Sequence, residues 1–277
     1  MIHTLNTFRL YIVAGLLLCF MAVSCKDDEE KDNNVNMNFS SLCGEFSVSD
    51  SKKIVFASGN LQYCPSTKVW RFAEHQYDYA GENNGQISDS FEGYIDLFGW
   101  GTGNNPTKIS IDSTLYLNFV DWGINIGDSK TWFTLSAEEW LYMTETRENA
   151  ADKLGVAKVG DVNGLVILPD VWTLPEGLTF NSGVSESYGA DKFKEKNEYT
   201  VEQWSMMEAA GAVFFPAAGH RLGSEFGNAG FYGGLWTCTD CSDISVVWDV
   251  SFRSGQFYVY RHRRVYGRNV RLVKYLN

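Results

Sequence analysis

The sequence predicts a domain of the α+β class, with a mixed sheet, two flanking helices and long loops. Three observations support this expectation. Short runs rich in β-branched and aromatic residues occur near both ends of the part of the chain that follows residue 40. Two segments between these runs carry helix start or stop signals. A glycine- and asparagine-rich stretch without clear periodicity precedes the first of these helices.

The N-terminal strands are separated by turn signals. A turn at Pro65 and Ser66 divides the second strand from the third. Residues 81–127, which include FGWGTGNNP, are predicted to be mostly loop, held in place by their aromatic side chains. The predicted N-terminal strands are residues 45–48, 53–62 and 69–72.

Two helices are predicted from the capping and stop signals at their ends. The first covers residues 137–147, because Ser136 can act as N-cap and Glu139 completes an S-x-x-E capping box. The second covers residues 201–210 and is stopped by Gly211. Apolar runs after the helices predict further strands, at residues 165–168 and 212–215.

The C-terminal third has the densest strand pattern. Its runs are separated by short turns, of which Ser254-Gly255 is a clear hairpin signal. Alternation in residues 246–253 puts Trp248, Val250 and Phe252 on one face. The other, presented face is expected to carry Val247, Asp249, Ser251 and Arg253. The predicted strands are residues 235–239, 246–253, 256–263 and 269–275.

The first residues have the layout of a bacterial lipoprotein signal. An apolar run at 10–23 is shorter than the roughly 20 residues of a membrane-spanning helix and ends in small residues before Cys25. We therefore expect a signal peptide at 1–24, acylation of Cys25, and anchoring in the outer-membrane lipid bilayer. The acidic, asparagine-rich residues 25–40 are predicted to be a tether that leaves the single domain 41–277 exposed at the cell surface. The alternative is an ordinary secretory signal with an incidental cysteine.

Charge and motif content disfavour several functions. The formal net charge of -11 argues against general nucleic-acid binding. No glycine loop follows a strand and opens a helix, as nucleotide sites require, and no Ser-His-Asp or Cys-His pattern stands out. His220, in AAGHR, is interpreted as a structural histidine rather than a base. We expect a protein that is not an enzyme and that needs no cofactor or metal.

The cysteines downstream of Cys25 are compatible with disulfides. An exported protein meets an oxidising environment, so one or two disulfides are expected, with the pairing left open. Cys238 and Cys241 form a C-x-x-C motif, but a β-rich run follows it, whereas redox pairs sit at helix N-termini. A zinc site would need a second ligand pair, which the spacing does not supply. The remaining cysteines are Cys43 and Cys64.

The order of short motifs carries a resemblance. Across roughly residues 44–276 the chain has, in this order, GNLQY, VWRFA, YIDLFGW, TLSAEEW, LVILPD, GAVFFPAAGHR, GFYGGLWTC and VRLVK. This order resembles exported bacterial proteins with a C-type lectin fold, in particular the variable target proteins of diversity-generating retroelements and formylglycine-generating-enzyme-like domains. The resemblance implies that the N- and C-terminal strands pair, that two helices flank the sheet, and that the domain binds a ligand.

The resemblance also implies residue roles. Trp236 matches the framework tryptophan, and Val250 and Phe252 match core positions. Arg264, Gly267, Val270 and Arg271 match the closing R-x-x-G-x-x-V-R framework. Two departures are Thr237-Cys238-Thr239, where a W-S-S run is common, and GRNVR in place of G-F-S-V-R. The side chains expected to contact a macromolecular ligand, with a protein favoured, are Thr237, Thr239, Asp240, Asp243, Asp249, Ser251, Arg253, Tyr258, Tyr260, Arg261, His262, Arg263 and Tyr266.

The residue types of this strip suit recognition, because Tyr and Arg are enriched in paratopes and binding hot spots. The basic run 253–274 predicts a cationic patch on an acidic protein. A structural or adhesin-type surface component, whose tyrosines and arginines only cover a solvated sheet, remains the main alternative. A calcium-dependent lectin would need hard oxygen ligands, and Trp248-Asp249-Val250 only approaches a W-N-D motif. The paired cysteines of the formylglycine-generating enzyme are more widely spaced than Cys238 and Cys241.

Overall fold

The structure is a computed structural model that describes residues 39–128 and 130–276. Its class is mixed α+β, mostly strands with two short α-helices in this part of the chain. The predicted signal peptide 1–24, Cys25 and all but the last two residues of the tether 25–40 lie outside the described residues. Of the helices described, none has the length and apolar character to cross a membrane.

The strands are short, and most pair in antiparallel fashion. In chain order they are β1 (Phe46–Ser47), β2 (Lys53–Phe56), β3 (Leu61–Cys64), β4 (Val69–Phe72), β5 (Phe98–Gly99), β6 (Leu154–Val159), β7 (Val162–Ile167), β8 (Glu198–Tyr199), β9 (Val213–Pro216), β10 (His220–Leu222), β11 (Glu225–Gly227), β12 (Gly233–Trp236), β13 (Val246–Arg253), β14 (Gln256–Arg263), β15 (Tyr266–Arg268) and β16 (Val273–Leu276).

The terminal strands pair, as the resemblance implied. β2 lies between β1 and β16 and is antiparallel to both, with Ile54 opposite Tyr275. The predicted strand 53–62 is instead two strands, β2 and β3. The chain breaks between them because Asn60 is buried and its side-chain oxygen accepts a hydrogen bond from Arg271 Nε at 2.9 Å.

The first helix, α1 (Ala137–Leu141), starts at the predicted capping box. Ser136 Oγ accepts a hydrogen bond from the Glu139 backbone N–H at 3.2 Å, and the Glu139 carboxylate accepts one from the Ser136 N–H at 2.9 Å. The α-helical part is shorter than predicted. Residues Tyr142–Thr146 continue it as a π-helix, a wider winding that is rare outside such single turns.

The second helix, α2 (Val201–Ala209), confirms the prediction within one residue. Thr200 and Gln203 form a capping box at its start. Gly211 ends it with φ of +99°, a conformation that glycine adopts without steric cost. The apolar strand that follows is β9, which pairs with β7.

The core consists of three hydrophobic clusters. The first joins α1, the terminal sheet, β6, β7, β9 and one face of the β13–β14 hairpin. The second is rich in tryptophan and lies under the predicted loop segment 81–127, which contains β5 and short 3₁₀ turns. The third packs α2 against β7 and β9. The aromatic residues of the long loop are therefore anchors, as expected: Trp100 and Trp122 are both buried.

The C-terminal hairpin matches its predicted bounds. β13 and β14 pair over their whole length across the Ser254-Gly255 turn, and β12 pairs with the other side of β13. A neighbouring sheet has the strand order β11-β10-β15-β5. A backbone hydrogen bond of 3.1 Å from the Asn269 N–H to the Gly234 carbonyl connects the end of β15 to β12. The two sheets therefore meet beside the hairpin.

Candidate functional site

The β13–β14 hairpin has two chemically different faces, because directly opposite residues of an antiparallel pair project to the same side. The first face packs on the main core along most of its length. It carries Val246, Trp248, Val250, Phe252, Phe257, Val259, Arg261 and Arg263. The second, which we call the cleft face, carries Val247, Asp249, Ser251, Arg253, Gln256, Tyr258, Tyr260 and His262.

A cleft of about 150 Å³ opens where the cleft face meets β10 and β15. His220 comes from β10, and Tyr266 and Arg268 project to the same side of β15, two residues apart. Arg253 and His262 come from the hairpin. The turn before β12 closes the cleft with Asn228, Phe231 and Tyr232.

The two adjacent glycines of GFYGG make room on opposite faces of β12, Gly234 for Arg268 at the cleft and Gly233 for Phe252 in the core. A Cβ atom on Gly234 would lie 2.8 Å from Arg268 Nη1 and equally close to its Cδ. A Cβ on Gly233 would lie 2.0 Å from the Phe252 ring. Asn228 adopts a left-handed conformation with φ of +62°, which asparagine tolerates, in the turn leading to β12. The glycine-aromatic motif therefore allows a guanidinium to lie directly on the backbone of β12.

Asp249 lies at the base of the cleft and is fully buried. Its Oδ1 is 2.6 Å from His262 Nδ1, which fixes the imidazole ring. Its Oδ2 is 3.1 Å from Arg268 Nε, an ion pair whose N–H direction is not aligned for a hydrogen bond. A buried carboxylate is costly unless it is paired, so Arg268 and Asp249 depend on each other.

Arginines also pack on the aromatic rings of the cleft. The Arg268 guanidinium carbon lies 4.6 Å from the Tyr232 ring centroid and 5.0 Å from that of Tyr266. The Arg253 guanidinium carbon lies 5.5 Å from the centroids of both Phe231 and Tyr232. These distances fall in the range of cation–π attraction. Each phenylalanine or tyrosine ring that lines the cleft therefore has an arginine packed against it.

Hydrogen-bonding capacity is left over in this cleft. Arg268 Nη1 is buried and has no hydrogen-bond partner. The Tyr232 hydroxyl makes no well-aligned hydrogen bond, although Ser251 and Arg268 lie near it. Burial, followed by the positive charges of Arg268 and Arg253, lowers the pKa of His220 to about 4, so its ring is neutral at pH 7. Burial also raises the pKa of Tyr232, which therefore stays a hydrogen-bond donor. The site thus offers donors to a ligand that brings acceptors.

Part of the predicted contact strip is buried, so the expected presented face of β13 is wrong for most of its length. Thr237, Val247 and Asp249 are fully buried, and Ser251 is 3% exposed. The reason is that β13 is the central strand of its sheet, with Arg268 packed against Asp249. Only Arg253, at the end of the strand, is partly exposed on that face.

Other predicted contact residues hold the framework. Thr239 Oγ1 accepts a hydrogen bond from the N–H of Ala137, the first residue of α1, at 2.9 Å. Asp240 Oδ1 accepts one from Arg264 Nη2 at 2.8 Å, and the carboxylate of Asp243 caps the local turn at Ser245. These side chains have structural partners, which sequence spacing did not reveal.

By register the exposed tyrosines and arginines of β14 alternate between the two faces. Around this edge strand, however, the Arg261 guanidinium lies 5.6 Å from the Tyr260 ring centroid, and that of Arg263 lies 5.8 Å from the Tyr266 ring centroid. Tyr258 and Tyr260 are 49% and 53% exposed on the cleft face. Arg261 and Arg263 are exposed where the other face extends beyond the core. Of the predicted strip, the residues that line the cleft itself are Arg253, His262 and Tyr266.

The cationic patch is smaller than residues 253–274 suggested. Arg264, Arg268 and Arg271 are 1–3% exposed, so their guanidinium groups make contacts inside the protein and do not form part of a surface patch. Arg264, for example, donates to the Tyr116 carbonyl at 2.9 Å. The framework positions implied by the resemblance are buried as expected for such positions; they are Trp236, Val250, Phe252, Arg264, Gly267, Val270 and Arg271.

Sequence reasoning missed several cleft residues. Arg268 was seen only as a departure within GRNVR, and Tyr232 only as part of the glycine-aromatic motif. The pairing of β10 with β15 was the information needed, because it places the His220 ring 5.1 Å from the Tyr266 ring, on the side of β15 that also carries Arg268. The residues missed as ligand contacts are His220, Asn228, Phe231, Tyr232 and Arg268.

The cysteines do not form the expected disulfides in this structure. Cys43, Cys64, Cys238 and Cys241 are free. The C-x-x-C motif lies between β12 and β13 rather than at a helix start, and burial raises the pKa of Cys238 to about 11. Within residues 39–128 and 130–276, no group of three His, Cys, Asp or Glu side chains is arranged to hold a metal ion.

Comparison with known proteins gives no relative: no protein-family profile, no curated protein and no solved structure matches the chain. We therefore infer function from the residues and their geometry.

Proposed function

We propose that this protein is a lipid-anchored recognition protein of the bacterial cell surface. In this proposal, acylated Cys25 holds it in the outer membrane and residues 41–277 form a C-type lectin-like domain. That domain binds a macromolecular ligand, a protein, through the cleft face of the β13–β14 hairpin. Pairing of β2 with β16 and the presence of two short helices are features that this fold would have.

The observation that carries the proposal is the pair of half-exposed tyrosines on β14. Tyr258 and Tyr260 stand two residues apart on the cleft face, beside the partly exposed Arg253. Tyrosine offers a large contact area with few rotors to freeze, which is why it is enriched in binding surfaces.

The hairpin is also held rigidly. The Ser254 hydroxyl donates to the Ser187 carbonyl at 3.0 Å and accepts from the Gly189 N–H at 3.0 Å. The backbone carbonyl of Ser254 accepts a hydrogen bond from the Ser185 N–H. These bonds fasten the hairpin tip to a separate loop. A surface that is rigid before binding loses less conformational entropy when a partner docks, so this anchoring favours recognition.

The experiment is ligand capture from surface extracts of neighbouring bacterial cells, with the full chain immobilised in neutral detergent. We expect a protein that wild type retains and that Tyr258→Ala/Tyr260→Ala captures about tenfold less, since central aromatic contacts commonly contribute more than 1.4 kcal/mol. Val201→Ala/Met206→Ala removes comparably exposed apolar groups from α2 and should capture like wild type.

A second pair of variants and a change of buffer define the surface. Arg261→Gln/Arg263→Gln tests whether contact wraps around the edge strand to the other face. Capture that disappears in a calcium chelator would favour a calcium-dependent lectin instead. Empty lanes for every variant, with and without chelator, would contradict the proposal and favour a structural surface component.

A further inference from the structure

We propose that the cleft between the hairpin and β15 is a carboxylate-binding pocket that accepts an acidic side chain of the protein ligand. This inference rests on the proposed function for the identity of the ligand, and it adds the chemistry that the ligand must present. It is argued from the charge, the unpartnered donors and the volume of the cleft.

The charge balance of the cleft is positive. Arg253 and Arg268 bring two guanidinium groups, and Asp249 is the only carboxylate paired with either of them among the described residues. His220 adds no charge at pH 7, because burial and both arginines lower its pKa to about 4. One positive charge is therefore left without a counterion in a partly enclosed site, where charge pairing is stronger than in water.

The unpartnered donors point to a ligand rather than to a structural pair. Arg268 is 2% exposed, and Asp249 contacts it only through Nε, so Nη1 has no partner. Tyr232 is 8% exposed, and its hydroxyl makes no well-aligned hydrogen bond, with Ser251 and Arg268 nearby. Leaving buried donors unsatisfied is costly, so their presence favours a partner that brings acceptors. A carboxylate brings two oxygens with several lone pairs, which suits a guanidinium N–H and a hydroxyl together.

The volume and the ring contacts favour a side chain over a sugar. About 150 Å³ accommodates a carboxylate with a short stem. Phe231, Tyr232 and Tyr266 each already have an arginine against the ring. A pyranose that stacked on these rings would compete with those contacts, whereas a carboxylate would bind the arginines where they are. Exposed Tyr258 and Tyr260 on the same face then provide area around the anchored group.

The test uses N-acetyl-glutamate amide as the probe and its neutral isostere, N-acetyl-glutamine amide, as the matched control. The full chain, labelled at the arginine side chains, is titrated in neutral detergent at constant ionic strength and pH 7. We expect saturable shifts of the Arg253 and Arg268 Nε–Hε signals at a dissociation constant on the order of millimolar, as one anchored group can supply. The glutamine probe should leave both signals unchanged.

Variants locate the binding. Arg253→Gln should weaken the glutamate probe about tenfold, the loss of one charge-assisted contact. Lys194→Gln removes one exposed positive charge outside the cleft and should bind like wild type. Arg268→Gln should abolish the shifts if it folds. If Arg268→Gln does not fold, Arg253→Gln still decides the test. Arg253 is partly exposed and has no buried ion-pair partner in the described structure, so we expect this variant to fold.

Several results would overturn the pocket. These are equal shifts with both probes, no saturation by about 50 mM, the upper end of weak specific binding, or equal weakening in Lys194→Gln. Tighter binding of glucuronate or inorganic sulfate than of the glutamate probe would also overturn it, in favour of an acidic glycan. The two proposals fail separately. Probe binding without protein capture leaves the pocket and removes the protein ligand; capture that Arg253→Gln does not reduce removes the pocket alone.

Discussion

Asp170 and Asp249 each pair with a buried arginine, but the two carboxylates differ in how completely their partners are satisfied. Asp170 accepts from the Ser47 N–H at 3.1 Å, from the Ser47 hydroxyl at 2.7 Å and from Arg147 Nη1 at 3.0 Å. Arg147 also donates to the Leu168 carbonyl at 2.8 Å. This cluster fastens β1 to the end of β7.

The Asp249 cluster is open by comparison. Its carboxylate contacts His262 and one nitrogen of Arg268, two residues that line a cleft, and Arg268 Nη1 is left without a partner. Charge alone does not distinguish the two regions, since each pairs an aspartate with a buried arginine. Arg147 Nε is also buried without a partner, so an unused donor alone does not mark a site. What distinguishes the Asp249 cluster from the structural clamp at Asp170 is that Arg268 and His262 line a cleft.

Replacing Asp249 should have the largest effect on stability. Asp249→Ala leaves Arg268 buried without a countercharge, and breaking such a pair costs about 3–5 kcal/mol. The measurement is the free energy of unfolding in urea. His262→Ala removes the other, partly exposed partner of Asp249 and should cost clearly less. A cost below about 1 kcal/mol for Asp249→Ala would mean that water already solvates the pair.

Replacing Asp170 should cost somewhat less and should leave the cleft unchanged. Its side chain is 17% exposed, so water can partly replace the lost acceptor, and we expect about 2–3 kcal/mol for Asp170→Asn. The glutamate probe should still bind as in wild type. Loss of probe binding in this variant would contradict the separation of clamp and cleft.

Much of the fold could be predicted, and the reason is local. β13 and β14 have the predicted bounds because alternation and a tight turn are encoded within the hairpin itself. β10 and β15 were missed, since each is three residues long and is defined only by its pairing partners. The site depended on the same non-local contacts: no spacing rule predicts that Arg268 is buried while Arg263 is exposed.

A methyl group on β12 should disturb the Asp249 region alone. Gly234→Ala places Cβ 2.8 Å from Arg268 and forces the guanidinium to move, at a cost of about 1–2 kcal/mol. Gly227→Ala is the matched control, because its Cβ would meet nothing within 4 Å. Thermal unfolding of both variants checks this. Equal midpoints would show that Arg268 can shift without loss.

The two regions should respond to acid in different pH windows. His220, in the cleft, has a folded pKa of about 4, below its ordinary 6.5. The unfolded chain therefore binds the proton first, and this residue's contribution to stability is lost as pH falls from about 6.5 towards 4. The pKa of Asp170 stays below its ordinary 3.8, because hydrogen bonds from Ser47 and Arg147 to the carboxylate outweigh the effect of burial. The contribution of Asp170 to stability is therefore lost only in stronger acid.

The check is the pH dependence of the unfolding free energy in His220→Gln and Asp170→Asn, each compared with wild type. The difference between wild type and His220→Gln should be constant above pH 7 and should change between 6.5 and 4. The difference between wild type and Asp170→Asn should be constant above about pH 5 and should change only in stronger acid. A histidine difference that stays flat would mean that the folded cleft accepts the proton freely.

The smallest effect on stability should come from the exposed side of the cleft face. Tyr258 and Tyr260 are about half exposed and contribute nothing to the three hydrophobic clusters. We expect Tyr258→Ala/Tyr260→Ala to change the free energy of unfolding by less than about 0.5 kcal/mol, as surface substitutions usually do. A larger loss would mean that the tyrosines stabilise the sheet through Trp248, whose ring centroid is 6.4 Å from that of Tyr260. In that case reduced ligand capture by this variant would follow from a weakened hairpin, and only a variant that keeps the ring, such as Tyr260→Phe, would separate contact from support.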